Sequence, residues 1–258
     1  MIEDKFGMIN GCYPEETALL MVIAHPDDEA YFPGLLTYYA AVRKLPVVLA
    51  CMTQTPWLPG RKDEMRNALL AYGVVLPPIF MDFPDCCYGQ AIDCCLRQWN
   101  GLETAVEALT YVFRKLKPHV VVTHDLKGEY GHPNHIATAI ATTLAFRNCP
   151  DSLKYPGQIM ECGIWNPVKC YVNRYDNCRL NYRMSRSYDE LNGETLIQVH
   201  NKGIICHKSQ DPWFFLIHSE DAPQFSGGLY ASSVGDDDPR VNDLLQHTNL
   251  NWNNKRRV

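Results

Sequence analysis

Four short, largely apolar runs, at residues 19–24, 46–52, 79–82 and 120–123, are separated by stretches whose apolar residues recur with helical spacing. This alternation limits what the chain can fold into more than any other feature. An apolar run of roughly 4–8 residues that stops at a turn suits a strand buried on both faces. Between the runs, residues 30–44 place Leu35, Leu36, Tyr39 and Val42 on one helical face. Residues 61–72 predict a helix closed by Gly73, where a left-handed cap is wanted. Residues 102–117 predict another helix, stopped by Pro118, and residues 134–147 a further one. Strands alternating with helices predict an α/β fold, a Rossmann-like three-layer sandwich whose mostly parallel sheet is covered on both faces.

The remainder is less regular. Residues 1–17 are polar and without pattern, and 83–101 read as an irregular Cys-rich loop over the strand ends. Beyond Pro150 the alternation blurs: 159–165 suggest a strand, 195–207 a helix, and 208–240 a long loop rich in aromatics, Gly, Pro and Asp. No internal repeat or clean linker interrupts the chain. The expectation is one domain over 1–258, with a βα core in 1–150 and an irregular C-terminal region in 151–258.

Composition excludes several function classes. A net charge of −5 with no basic stripe argues against a nucleic-acid partner. No apolar run approaches the roughly 20 residues of a membrane span, and no signal-peptide pattern opens the sequence. A soluble, cytoplasmic protein is expected. The 11 cysteines are odd in number, and Cys86-Cys87 with Cys94-Cys95 lack the spacing of a structural zinc knuckle. They are expected to be reduced and structural.

Two turns carry the chemistry. Ala24-His25-Pro26-Asp27-Asp28-Glu29 follows the first apolar run, and Gly131-His132-Pro133-Asn134-His135 follows the fourth. Proline holds the residue before it extended and suits the first position of a helix. His25 and His132 are therefore expected at strand ends, with Asp27, Asp28, Glu29 and His135 in or near first helical turns. In parallel sheets ligands bind beyond those carboxyl ends. A knot of carboxylates is costly unless a cation or solvent screens it. Helix dipoles there are expected to keep the acids ionised and His132 and His135 neutral, the metal-binding form. Two imidazoles and one carboxylate form a common catalytic zinc set, while a second carboxylate is left to take a proton from water. The same set also suits Fe(II) in non-haem oxygenases, although an oxygenase has no use for the adjacent Asp27 and Asp28 pair. Either turn alone is ordinarily a helix cap or an incidental pair; their recurrence at the same end of two strands gives them weight.

With these residues in place, the chain resembles the LmbE-like (PIG-L) deacetylase superfamily, mostly zinc-dependent enzymes that remove acetyl from N-acetylglucosamine units. The similarity covers about the first 150 residues, including Arg61, Glu64, Ala68, Gly73 and Val74, and Cys206-His207-Lys208-Ser209-Gln210 resembles a C-terminal element of that family. The resemblance implies a Zn2+ site (Fe2+ being compatible) held by His25, Asp28 and His135, with Asp27 as general base. It implies that His132 stabilises the tetrahedral intermediate or protonates the leaving amine, and that Tyr130 polarises the acetyl carbonyl. Arg61 and Asp85 match substrate-binding positions. The implied partner is a small N-acetylated amino sugar or glycoconjugate; a homo-oligomer is compatible with the pattern. Asn134 stands where the family usually has aspartate, and the Cys-rich loop after Asp85 matches nothing in it. His119, His124, His200, His218 and His247 lie in no motif and are expected to be structural, although His124 falls near the same strand end. A sugar-binding protein without catalysis is the reading from another class; the complete set of ligands and base argues against it.

Overall fold

The computed structural model describes residues 13–14, 16–86, 88–148, 169–173, 184–217 and 227–232. Its strands are β1 (Thr17–Ile23), β2 (Val47–Gln54), β3 (Ile79–Pro84), β4 (Pro118–Thr123), β5 (Lys169–Asn173) and β6 (Gly227–Ser232), joined in one sheet of order β3-β2-β1-β4-β5-β6. The first five run parallel, and β6 pairs antiparallel with β5. Leu20 stands beside Val48 on one side and Val121 on the other, so β1 is central.

Strand side chains alternate between faces, and this divides the core in two. Leu19, Met21 and Ile23 point toward Leu35 and Tyr39, toward Met65 and Leu69 of α2 (Arg61–Ala71), and toward Leu196 of α6 (Leu196–Ile204). Leu20 and Val22 face the other way, onto Leu109 and Val112 of α4 (Leu102–Leu116) and Ala137 and Ala141 of α5 (Pro133–Asn148). The three-layer sandwich follows from that alternation. From β1 the chain winds outward through β2 and β3, then returns to β4 on the opposite side of β1. The strand order reverses there, opening a crevice at the carboxyl ends of β1 and β4. Both His-Pro turns leave from those two ends.

Gly73 takes φ +83, as its capping role requires, and Val74 N–H closes the α2 end on Leu69 O at 2.9 Å. A Cβ on Gly73 would sit 2.7 Å from Ala41 Cβ. Gly73→Ala is expected to cost about 1–2 kcal/mol through the backbone alone, with the Ala41 contact adding to it. A lowered denaturation midpoint checks this.

Several expectations need correction. The helix expected at 30–44 is broken into a 3₁₀ turn (Asp28–Tyr31), α1 (Leu35–Thr37) and a π-turn (Tyr38–Val42). Pro33 cannot donate to a continuing helix, and Gly34 lies at φ 72. The loop expected at 83–101 contains α3 (Ile92–Gln98), which buries Cys95, while Trp99 packs on Phe83 and donates from Nε1 to Pro84 O at 2.9 Å. Within 208–240 lie a 3₁₀ turn (Pro212–Phe215) and strand β6, whose order comes from pairing with β5 rather than from its own Gly-rich pattern. The helix at 195–207 is shorter, starting after a capping box between Thr195 and Gln198. The strand expected at 159–165 and most of residues 1–17 lie outside the described residues. Cys51, Cys86, Cys94, Cys95 and Cys206 form no disulfide. No helix among the described residues is long and apolar enough to cross a membrane.

Candidate active site

The first turn is anchored before it begins. Ala24 O accepts from Thr53 N (2.9 Å) and Thr53 Oγ1 (2.7 Å), and Ala24 N–H donates to His124 Nε2 at 2.9 Å. His25 N–H then donates to Asp28 Oδ2 at 2.7 Å, folding the Asp28 carboxylate back over the strand end. Between them Asp27 adopts φ 115, a conformation that non-glycine residues rarely take. It is held there on three sides. Its N–H donates to Glu29 Oε2 (3.1 Å), its Oδ1 accepts from Arg61 Nη2 (2.7 Å), and the same Nη2 donates to Pro26 O (2.6 Å). Strained backbone fixed in this way is common where a side chain must be aimed. Asp27 is thereby tied to Arg61 while Asp28 is tied to His25, and two adjacent carboxylates have different surroundings.

Asp28 is the centre of the cluster. Its Oδ2 lies 3.1 Å from His25 Nδ1 and 3.3 Å from His124 Nε2, and its Oδ1 lies 3.2 Å from His135 Nε2. The imidazoles pack on one another, with centroids 4.6 Å apart for His25–His132, 4.9 Å for His132–His135 and 4.1 Å for His124–His135. Two sets of donor atoms fall within 4.8 Å of one another: His25, His132 and His135; and Asp28, His124 and His135. His135 belongs to both. The three residues expected as ligands are thus together, His25 in one set and Asp28 in the other.

Burial opposes charge on Asp28, but the His135 and His25 rings, when protonated, outweigh it and hold the carboxyl well below its usual range. Burial likewise opposes charge on His25, and Asp28 with Asp85 outweighs it, lifting His25 to about 9. The cluster therefore draws positive charge toward Asp28, which a divalent cation supplies. Burial lifts Asp27 to about 7 against the pull of Arg61. Burial, then the neighbouring His25 and His135, press His132 down to about 3. The neutrality expected of His132 thus arises from burial and its neighbours, not from a helix dipole alone, and the single 3₁₀ turn after Asp27 does not keep that acid strongly ionised. The acidic neighbours of His124 pull its pKa up toward 10 despite burial. Ala24 N–H nevertheless points at Nε2 and needs a lone pair there, so the ring is neutral with its proton on Nδ1.

The remaining expected residues are placed as follows. His132 Nδ1 accepts from Asn134 N–H at 3.2 Å, which leaves its proton on Nε2. Tyr130 is half exposed over the cluster, its ring 5.3 Å from His135 and 5.4 Å from Tyr88. Arg61 is buried, donating also from Nη1 to Thr55 Oγ1 at 3.0 Å, and stands directly behind Asp27. Asp85 Oδ1 lies 3.2 Å from His25 Nε2 and accepts from Asn134 Nδ2 at 2.9 Å, while its Oδ2 accepts from Thr55 at 3.1 Å.

Sequence reasoning missed His124, Glu129 and the working role of Asn134. The only signal for His124 was its place one residue past a strand. Asn134 donates to Asp85 and accepts from Cys86 N–H at 3.3 Å, a combination that an aspartate carboxylate cannot provide. His119 pairs with Glu16 at 3.3 Å and His200 stacks on Tyr72, both away from the cluster. His218 and His247 lie outside the described residues.

The C-terminal element reaches the turn directly. His207 Nε2 bonds to Glu29 Oε1, and Ser209 grips Glu64 of α2 through its N–H (2.9 Å) and Oγ (2.7 Å). Both partners of the His207–Glu29 pair are buried. Burial opposes the His207 charge and Glu29 outweighs it, raising its pKa above the ordinary 6.5. Its contribution to stability is complete below that ordinary value and fades as pH rises through the raised one. His207→Phe is expected to cost about 3–5 kcal/mol near pH 6, and less near pH 9. Urea melts of both proteins at the two pH values check the size and sign.

The fold and cluster together define a Rossmann-like α/β protein with a His/Asp site at its switch point. Residues 20–146 match the family model described as PIG-L: GlcNAc-PI de-N-acetylase, just under half of the chain. It is 48% identical over 163 residues to the 1D-myo-inositol 2-acetamido-2-deoxy-alpha-D-glucopyranoside deacetylase of Mycolicibacterium smegmatis, covering 54% of this chain and 56% of that protein. The chain spans little more than half the length of the curated relatives it matches. Its fold is shared with N,N'-diacetylchitobiose deacetylase from Pyrococcus horikoshii (TM-score 0.53, 19% identity, 77% of this chain and 73% of that one). It is shared equally with GalB, the 4-carboxy-2-hydroxymuconate hydratase of Pseudomonas putida KT2440 (TM-score 0.52, 17% identity, 83% and 95%). The fold alone therefore does not decide the reaction; the site must.

Proposed function

We propose that this protein is a zinc-dependent N-deacetylase that hydrolyses the acetamide of an N-acetylglucosamine-type sugar or conjugate and releases acetate. One observation carries the reading. His135 Nδ1 lies 2.8 Å from Glu129 Oε2, which places its proton there, so that buried Nε2 presents a lone pair to Asp28 Oδ1 at 3.2 Å without a hydrogen bond. Two lone pairs facing one another in a buried site fit a cation between them. His25, Asp28 and His135 would hold it, and Asp27, tied to Arg61, is left as base.

A bound zinc ion supplies Lewis acidity toward the acetyl oxygen and water. The side chains supply the proton transfers. An Asp27 carboxylate with a pKa near 7 takes a proton from water as the C–O bond forms, and it can return that proton to the sugar nitrogen as the C–N bond breaks. His132 Nε2–H donates to the oxyanion of the tetrahedral intermediate. Because His132 is pressed down to about 3, it is a poor source of imidazolium, which favours oxyanion stabilisation over amine protonation. Burial and the Asp28 carboxylate keep the Tyr130 phenol protonated, able to donate to the acetyl carbonyl. Asp85, partly exposed, can accept from a sugar hydroxyl, and Arg61 orients Asp27 beside it.

The relatives' activity as 1D-myo-inositol 2-acetamido-2-deoxy-alpha-D-glucopyranoside deacetylases supports a small N-acetylglucosaminide. The test is acetate release by the zinc-replete protein from N-acetylglucosamine, diacetylchitobiose and the inositol N-acetylglucosaminide. Release abolished by chelation and restored by zinc is expected. A zinc-loaded protein inert toward all three overturns the reading.

A further inference from the structure

Glu129 belongs to neither His-Pro turn, yet its carboxylate joins them. Its side chain is 2% exposed, and its Oε2 lies 2.8 Å from His135 Nδ1 and 3.0 Å from His124 Nδ1. Its Oε1 accepts from Asp125 N–H at 3.0 Å, and its backbone takes φ 53, between Gly128 at φ 70 and Gly131 at φ 87. Gly128 cannot be enlarged, since a Cβ there would lie 2.8 Å from His132 O. The loop after β4 is thus shaped to bring one carboxylate under two stacked rings.

The two rings differ at their far nitrogens. His124 Nε2 is occupied by Ala24 N–H, which removes it from the ligands although it lies near Asp28. His135 Nε2 has no hydrogen bond and faces Asp28. We infer that Glu129 is the positioning residue of the metal site. It fixes His135 as the Nδ1–H tautomer with its Nε2 lone pair toward the ion, and through His124 it ties that ligand to the backbone from which His25 leaves. This rests on the metal-site reading above. Carboxylates behind metal-bound imidazoles raise ligand basicity and lock ring orientation, and their loss weakens metal binding about 10- to 100-fold.

Glutamine at 129 keeps the shape but offers one acceptor oxygen where two imidazole donors and one backbone donor converge. The metal-free full chain is titrated with zinc against a chromogenic chelator, with no substrate present. Glu129→Gln is expected to raise the zinc Kd about 10- to 100-fold, with Glu129→Asp recovering part of the loss and the cobalt-loaded visible spectrum altered. A Gln variant that binds zinc within twofold of the parent overturns the inference. Histidine ¹⁵N resonances of the unsubstituted zinc-loaded protein give a second measurement that needs no variant to fold. His135 is expected to carry its proton on Nδ1 with Nε2 toward the metal, and a His135 bound to zinc through Nδ1 refutes the role. A parent that binds zinc but releases no acetate refutes the proposed activity alone, whereas unchanged zinc affinity in the Gln variant refutes only the role of Glu129.

Discussion

Asp27→Asn is expected to leave zinc bound and the fold intact while turnover falls about 10²- to 10⁴-fold, the range for loss of a general base. Asparagine is the substitution of choice because it tolerates the left-handed backbone at φ 115 and can still accept from Arg61 Nη2 through its amide oxygen. Only the ability to take a proton disappears. Asp27 makes no contact with the imidazole cluster in the way Asp28 does, so metal content should not change. Parallel measurement of kcat and bound zinc separates the outcomes. An active Asp27→Asn variant removes Asp27 from the chemistry, and an inactive one without zinc makes it part of the metal site instead.

The second large effect is expected at Asp28. An asparagine there keeps an oxygen for His25 N–H, now donating at 2.7 Å, and so preserves the turn. The charge that draws His25, His124 and His135 together is gone. Zinc affinity should fall by more than the roughly hundredfold expected for an outer residue such as Glu129, and activity should vanish with it. The His25 pKa should also fall from about 9, since Asp28 is the strongest of the groups that raise it against burial. Equilibrium dialysis against zinc and NMR titration of His25 read the two effects independently. Retention of stoichiometric zinc after dialysis would remove Asp28 from the ligand set.

These expectations rest on residues that were legible in the sequence to different degrees. The strands of the core and helix α4 show as period, because burial on two faces leaves continuous apolar runs and burial on one leaves a helical stripe, while α2 and α5 show mainly through their ends, Gly73 closing one and Pro133 opening the other. The His25 and His132 turns were legible because proline restricts its neighbours locally. Glu129 was not: a glutamate between glycines looks like a solvated turn, and its function depends on two rings brought to it by different elements. Strand β6 was hidden for a similar reason, since Gly227 and Gly228 give no strand pattern and the order comes from β5. Helix α3 was hidden by its shortness and by charged residues around Cys95. Arg61 shows the limit most clearly. Its position in a motif was readable, whereas its engagement with Asp27, Thr55 and Pro26 required the folded backbone.

The contact between Glu29 and His207 spans 178 residues of chain. During synthesis both His-Pro turns leave the ribosome long before His207 and Ser209 are made. Until then Glu29 and Glu64 lack the partners that seat them in the finished protein. Contacts this distant in sequence form late, because loop closure has to precede the gain they bring. The emerging chain therefore carries its reactive residues in an unfinished setting for most of translation, and the segment that follows α6 acts as a completion step. A protein arrested before residue 207 should display both motifs and still fail to assemble a stable centre.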